Sequence, residues 1–357
     1  MKTPLSILST SKIEIVSEKE NWDFLINSAD AADIYHTYEY HQITKKPDEK
    51  PILLVYSEND MMIAIPLLLR NIPNSTYKDC TSVYGYGGPI TKNIDEHIDL
   101  SNFTTRIQEF LFKNNIVSVF SRLNPFIPKQ KFCLQGLGEI ISLCQIVNID
   151  ISKSLENQKK EYNRRLRTHI NKARRECYVK QAESKEDILQ YIKLYYQNMK
   201  RVNAKQEYFF SEDYFFKLLN AKHFTTRVLL AIEKGTQKII AGAMFFETNQ
   251  TVHYHLSGSD ANYLHLYPIK LLIDEMREVA TEQDCIYYNL GGGVGYKEDS
   301  LFNFKSAYSK DFKPFSLWRY IVNHKVYNEL ASKKEERNGE QPQEKGTTFF
   351  PAYRSNL

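Results

Sequence analysis

His253 and His255 stand at alternate positions of an apolar stretch, so on a strand they share one face, where they would serve as general bases or metal ligands. No third ligand lies nearby in sequence, and an ordinary hydrogen-bonded histidine is the other reading. Gly291, Gly292, Gly293 and Gly295 follow an apolar strand without opening a G-x-G-x-x-G helix. Such a run suits a close backbone approach to a ligand or a bent strand end rather than a dinucleotide fingerprint. Tyr35, Tyr38 and Tyr40, with His36 and His41, form an aromatic cluster that fits either core packing or a pocket with one wet end. There is no Walker A loop, no GxSxG elbow and no HExxH.

The charge is concentrated. The 357 residues hold 47 Lys and Arg against 43 Asp and Glu, a net +4. Between Glu156 and Glu176, however, Lys159, Lys160, Arg164, Arg165, Arg167, Lys172, Arg174 and Arg175 face only Glu156, Glu161 and Glu176. That stretch carries +5 and the rest of the chain −1. Leu155, Tyr162, Leu166, Ile170 and Ala173 recur mostly at helical spacing within it, so a narrow apolar stripe is expected beneath a cationic surface. Phosphate contact and a merely solvated face are the two readings of that surface.

The elements that must position these residues repeat. Strands over 52–56 and 61–69 make a hairpin, followed by an aromatic strand into Gly85, Gly87, Gly88 and Pro89, a helix over 98–113 and a strand over 116–120. The order returns about 170 residues later: a hairpin over 227–246, an aromatic strand into the turn Ser257, Gly258 and Ser259, a helix over 269–280 and a strand over 285–290. Tandem copies of one α/β unit with mixed sheets are therefore expected. The domains are placed at 1–150 and 151–331, the second beginning with the basic helix, and 332–357 reads as a polar, flexible tail.

The first residues lack the apolar core of a signal peptide, and the longest apolar run, Met61 to Leu69, is interrupted by Pro66 and too short to span a bilayer. The five cysteines are scattered without a CxxC pair. A cytoplasmic protein with reduced thiols and no bound metal is expected.

Four local patterns in order make the chain resemble the FemABX-like proteins. They are Tyr35-His36-Thr37-Tyr38-Glu39-Tyr40, Tyr84-Gly85-Tyr86-Gly87-Gly88-Pro89-Ile90, the basic helix from Asn163 to Ala173, and Leu290-Gly291-Gly292-Gly293 followed by Phe304-Lys305. Those proteins consist of two tandem domains of the Gcn5-related N-acetyltransferase (GNAT) type and add amino acids from aminoacyl-tRNA to peptidoglycan precursors. The resemblance thus implies two tandem GNAT-like domains related by duplication, and an acyl transfer in which an amine attacks an activated carbonyl.

The acceptor that the resemblance implies is an amino group of a cell-envelope precursor or of an amino sugar. Phe304 and Lys305 are implied at the donor site, for positioning and charge stabilisation, and His255 is the candidate base. Donor contacts are expected from Ser257, Gly258, Ser259, Gly291, Gly292, Gly293, Arg164, Arg167 and Lys172, and acceptor contacts from Tyr38, Tyr40, Tyr86, Gly87 and Gly88. The stretch from Asp260 to Pro268 lacks the glycines of a pyrophosphate loop, which weakens classical acetyl-CoA binding but not other acyl donors. Aminoacyl-tRNA and acyl-CoA both remain open as co-substrates, and no tightly bound cofactor or stable DNA binding is expected. Peripheral association with the inner membrane through a lipid-linked acceptor is a further expectation. The competing class is a non-catalytic RNA- or nucleotide-binding protein on the same duplicated scaffold.

Overall fold

The computed structural model describes residues 11–248, 250–338 and 349–355. The chain opens with β1 (Lys12–Val16), α1 (Lys19–Ser28) and α2 (Tyr38–Thr44). Four strands follow, β2 (Glu49–Glu58), β3 (Met61–Asn71), β4 (Lys78–Thr81) and β5 (Ile90–Lys92), then α3 (Ser101–Lys113), β6 (Ile116–Arg122) and α4 (Gln130–Cys133). Next come β7 (Glu139–Asp150), α5 (Leu155–Lys160), α6 (Arg164–Glu176), β8 (Cys177–Gln181), α7 (Lys185–Arg201) and α8 (Glu212–Leu219). The chain continues with β9 (Thr225–Glu233), β10 (Ile239–Thr248), β11 (Thr251–Ser259), α9 (Pro268–Glu282), β12 (Tyr287–Gly291), α10 (Ser300–Lys305), β13 (Asp311–Ile321) and α11 (His324–Asn338).

Two compact units emerge, one of residues 1–143 with 315–357 and the other of residues 144–314. In the first, the strands lie in the order β1-β2-β3-β4-β6-β13, with β5 on β3; in the second the order is β8-β9-β10-β11-β12-β7. Each unit holds one parallel pair, β4·β6 and β11·β12, in an otherwise antiparallel run. The connection between the two parallel strands carries the long amphipathic helix, α3 or α9, as a parallel crossover requires. The expected mixed α/β architecture and its repeat are thus seen strand for strand.

Three boundaries differ from expectation. The first unit ends at 143, not 150, and 315–331 lies with it, because Leu317–Ile321 of β13 pairs with Arg122–Ser118 of β6. Periodicity does not reveal which sheet a closing strand joins. The region 83–89 is an irregular loop, and the strand of this copy is β4, just before it. The expected tail is partly ordered: α11 runs to Asn338, and Tyr353 is buried with its hydroxyl 2.7 Å from Ser118 Oγ. Its aromatic residues Phe350 and Tyr353 pack in a cluster with Ile72, Val117, Val326 and Tyr327. The remainder of that expected tail lies outside the described residues.

In the second unit β9, β10, β11 and β12 sandwich their core against α6 and α9, with Leu166, Ile170, Ala173, Leu272, Met276, Phe245 and Tyr288 buried there. The basic segment forms two helices rather than one: Leu166, Ile170 and Ala173 of the predicted stripe are the packing face of α6, Tyr162 is buried just before it and Leu155 starts α5. Asn163 caps α6 by accepting from Leu166 N at 2.7 Å. Among the described residues no helix is long and apolar enough to cross a membrane.

Candidate functional site

Lys305 ends α10 and is 7% exposed. Its Nζ donates to the carbonyl of Gly292 at 2.7 Å and lies 6.0 Å from the centre of the Tyr254 ring. Burial lowers its pKa to about 8, against the opposing pull of Asp299. An ammonium held in a low-dielectric place destabilises the fold by about 3 kcal/mol at neutral pH, since each pKa unit is about 1.4 kcal/mol. A perturbed cation in such a position marks a functional candidate.

The surrounding backbone explains how it is presented. The pair β11·β12 is registered only from Thr251–Tyr287 to His253–Asn289, although β11 runs on to Ser259. A bulge follows: Tyr254 faces Phe245 and Leu256 faces Met244, which leaves His255 as the extra residue. Beyond the last paired residues the two strands are free of each other, and Lys305, the Gly292 carbonyl and Tyr254 meet at that opening. The glycine run shapes the turn. Gly291 has φ +76°, and a side chain on Gly293 would collide with Asp299 and the Lys297 carbonyl. Asp299 in turn caps α10, accepting from Leu301 N and Phe302 N at 3.0 Å, and so fixes the helix that carries Lys305. Gly291 N donates to Asn289 Oδ1 at 2.7 Å, so this amide is already used within the turn and is not turned toward a donor.

Not every expected residue converges here. His253 accepts or donates at 3.1 Å with Asn289 Nδ2 and is buried, which makes it part of the scaffold of β12. His255 Nε2 is 3.0 Å from Tyr214 OH and its ring packs on Phe246 at 4.3 Å. Burial, aided by His253, lowers its pKa to about 3, too low for efficient proton removal from an amine at neutral pH. His255 packs on Phe246 whereas Tyr254 packs on the adjacent Phe245, which puts His255 on the face away from Lys305. Ser257, Gly258 and Ser259 belong to β11 rather than to a turn. A side chain on Gly258 would meet the backbone of Leu194 and Tyr195 at 2.5 Å, so this glycine exists for the packing of α7. Ser257 is hydrogen-bonded to the Tyr254 hydroxyl, and Ser259 is buried.

A second cluster flanks the opening. Phe304, next to Lys305, lies 5.7 Å from Lys270 Nζ. Lys270 Nζ is 2.8 Å from His169 Nδ1, and the His169 ring stacks on Tyr267 with centres 3.7 Å apart. Lys172 and Lys270 both sit over the Tyr267 ring, at 5.7 and 5.5 Å. Burial and Arg165 lower the Lys270 pKa, while burial and the three neighbouring cations lower that of His169. Lys172, Lys270 and Arg165 gathered around a neutral imidazole make a positive surface suited to a multiply charged anion. Tyr267 itself adopts φ +58° ahead of Pro268, the first residue of α9. Lys172 is thus drawn into this cluster, whereas Arg164 and Arg167 lie exposed on the outer face of α6. Arg174 is consumed by Asp274, Glu275 and Glu278, so the +5 read from the segment overstates its outward field.

The predicted acceptor residues all fall in the first unit. Tyr40 is buried and donates to the Tyr84 carbonyl at 2.9 Å; Tyr35 packs edge-on against Tyr40 and Tyr86 at 5.2 and 5.5 Å, and Tyr38 against Trp22 at 5.6 Å. The Gly87 carbonyl accepts from Gln130 Nε2 at 3.0 Å and from Asn124 N at 3.1 Å. Gly88 has φ +92°, and a side chain there would strike Gln130. Tyr40, Gly87 and Gly88 are accounted for by this packing; Tyr38 and Tyr86 stay half-buried. Sequence reading missed Tyr254, Tyr267, Lys270 and His169. The one available signal was the aromatic residue just before the proline that starts a helix, with a lysine two residues into it.

Comparison with known proteins follows the same lines. The FemAB family model matches residues 224–314, which run from the edge of β9 to the first residues of β13 and contain the Lys305 opening. No curated protein matches the sequence. Among solved structures, FemX is similar with a TM-score of 0.69 at 13% identity, covering 88% of this chain and 99% of that one. A conserved protein of unknown function from Bacteroides thetaiotaomicron has a TM-score of 0.56 at 13% identity, over 87% of this chain and all (100%) of that one. The C-terminal domain of a putative lysylphosphatidylglycerol synthetase from Agrobacterium fabrum gives 0.52 at 14% identity, over 85% and 91%. Residues 224–314 therefore resemble the FemAB family, and the chain shares the fold of FemX, in line with the resemblance that the four sequence patterns carried.

Proposed function

We propose that the protein is an N-acyltransferase that moves an aminoacyl or acyl group from a phosphate-bearing donor, aminoacyl-tRNA or acyl-CoA, to an amino group of a cell-envelope precursor. The observation that carries this reading is the buried Lys305 ammonium, hydrogen-bonded to Gly292 O where β11 and β12 part. The neutral acceptor amine attacks the carbonyl carbon of the donor. A C–N bond forms, the carbonyl oxygen becomes an oxyanion, and collapse breaks the C–O bond of an ester or the C–S bond of a thioester. The surplus proton of the amine leaves to the departing oxygen or sulfur, or to water. Charge develops on the oxyanion in a place shielded from water, where one preorganised cation stabilises it far more than it would in solvent.

The cations Lys172 and Lys270, with His169 accepting from Lys270, support a phosphate on the donor, held beside Phe304 and next to the N-terminus of α9. Exposed Arg164 and Arg167 extend the same positive surface along α6, which favours the larger polyanion, tRNA, over a coenzyme. The acceptor is read as a peptidoglycan peptide or an amino sugar, reached in the cytoplasm and in its lipid-linked form at the inner membrane surface.

The test is to incubate the purified protein with labelled aminoacyl-tRNA or acyl-CoA and envelope precursors, and to look by mass spectrometry for an acceptor heavier by one acyl group. Transfer from either donor supports the reading. No transfer, together with tight RNA binding that weakens steeply with salt, would replace it with the non-catalytic alternative.

A further inference from the structure

Four tyrosines of the second unit, Tyr162, Tyr254, Tyr288 and Tyr308, cluster in one core. Three of their hydroxyls are engaged. Tyr162 donates to Asp274 Oδ1 at 2.8 Å, Tyr308 to the Lys270 carbonyl at 3.1 Å, and Tyr254 is hydrogen-bonded to Ser257. Tyr288 is 0% exposed and its hydroxyl has no hydrogen-bond partner among the described residues. A phenol buried in this way is unfavourable, and natural cores retain few of them without a reason.

Its position supplies the reason. Asn289 is hydrogen-bonded to His253, so on both strands the neighbouring residues, Tyr288 and Tyr254, turn to the opposite face. Both rings pack on Phe245, at 6.3 and 5.9 Å. The Tyr254 ring is the one that lies 6.0 Å from Lys305 Nζ. Tyr288 therefore stands one residue before the end of the β11·β12 pairing, on the Lys305 side of the sheet.

We infer that the Tyr288 hydroxyl is a specificity-determining contact at the inner end of the acyl site, where it hydrogen-bonds a polar substituent of the transferred acyl group, the α-amino group of an aminoacyl donor. This inference rests on the acyl-transfer reading and deepens it. An acyl group without such a substituent would leave the hydroxyl as orphaned as it is in the free protein, so the site discriminates between the two by one hydrogen bond.

The experiment compares wild type with Tyr288→Phe, using donors that carry an alanyl or a propionyl group, which differ only in the α-amino substituent. In parallel, calorimetry measures binding of the alanyl and propionyl amides of adenosine, which cannot react. Wild type should prefer the alanyl member of each pair by about tenfold or more, the scale of one hydrogen bond. Tyr288→Phe should lose that factor on alanyl alone, leave propionyl unchanged, and melt no lower than wild type because only an unpaired hydroxyl has gone. Equal losses on both members, or no change on either, would overturn the role of Tyr288. Absence of turnover with every donor would count against acyl transfer itself, while the binding pair would still decide for or against Tyr288.

Discussion

The parallel strand pair of each unit ends in a different way. In the first unit β4·β6 is carried onward by the loop behind β4: Gly87 bridges to Leu123, Asn124 N donates to the Gly87 carbonyl, and Gln130 Nε2 binds the carbonyls of Gly87 and Pro89 at 3.0 Å. Asn124 Nδ2 also donates to Asp33 Oδ2 at 2.7 Å. In the second unit the corresponding place is left open beyond His253 and Asn289; a lysine ammonium enters it beside the Tyr254 ring, and the unpaired Tyr288 phenol lies on the same side of the sheet. One copy of the fold is plugged by neutral amides that satisfy the backbone. The other keeps a charge and a hydroxyl in low dielectric, which lowers stability. On the acyl-transfer reading proposed above, duplication separates two tasks, the first copy bearing structure at the point where the second would bear chemistry.

The largest test of that contrast is rate. Lys305→Ala should lower turnover by about 10²–10³, the effect of removing one oxyanion donor, whereas Gln130→Ala at the equivalent place should leave single-turnover rates near wild type. Equal losses from the two substitutions, measured in proteins that remain folded, would dissolve the asymmetry.

Stability should move the other way. Lys305→Met removes a cation whose pKa is depressed to about 8, and should raise the unfolding free energy in urea by about 3 kcal/mol below pH 8. The sign follows from proton binding. The unfolded lysine keeps its proton up to about pH 10.4, so the native state is penalised below its own pKa, and the penalty fades as pH rises from about 8 toward 10.4. The gain from Lys305→Met should fade over the same window. A transfer rate that depends on the charged form should fall by about tenfold per pH unit above pH 8 in a pH–rate profile, once the acceptor's own ionisation is corrected for.

In the plugged copy, Gln130→Ala should cost about 1–3 kcal/mol, because it removes the donor to the buried Pro89 carbonyl and leaves that of Gly87 to Asn124 N alone. Chemical denaturation reads this directly, and a neutral result would mean that water replaces the amide without penalty. The smallest effect is expected on α6. Arg164→Gln and Arg167→Gln should each reduce the slope of log K against log salt for RNA by about 0.7–0.9, with transfer at saturating donor unchanged. Slopes equal to wild type would remove this surface from donor binding.

Much of the scaffold was legible because it depends on local periodicity. The hairpins β2–β3 and β9–β10, the helices α3 and α9, and the repeat itself follow from alternation and helical spacing. The stripe under the basic helix was likewise readable as Leu166, Ile170 and Ala173. Harder to read were the roles of single residues. Gly258 and Gly88 looked like parts of binding turns, yet each is required by a neighbour remote in sequence, α7 in one case and Gln130 in the other. His255 looked like a base, but a bulge and an aromatic cage make it a neutral packed ring. Arg174 looked like part of a phosphate-binding surface, and three acidic residues of α9 neutralise it.

The sequence by itself determined the α/β type, the two copies, the apolar faces and the FemABX-like resemblance that singled out Phe304 and Lys305. These are written in spacing and local pattern, which folding does not rearrange. Tertiary structure alone decided that β13 crosses back to the first unit, that β11 and β12 part after His253, and that Lys305 is buried there against a carbonyl. Strand pairing and burial are properties of contacts between residues far apart in the chain. The pKa of a lysine and the freedom of a hydroxyl are set by those contacts, so both appear only once the chain has folded.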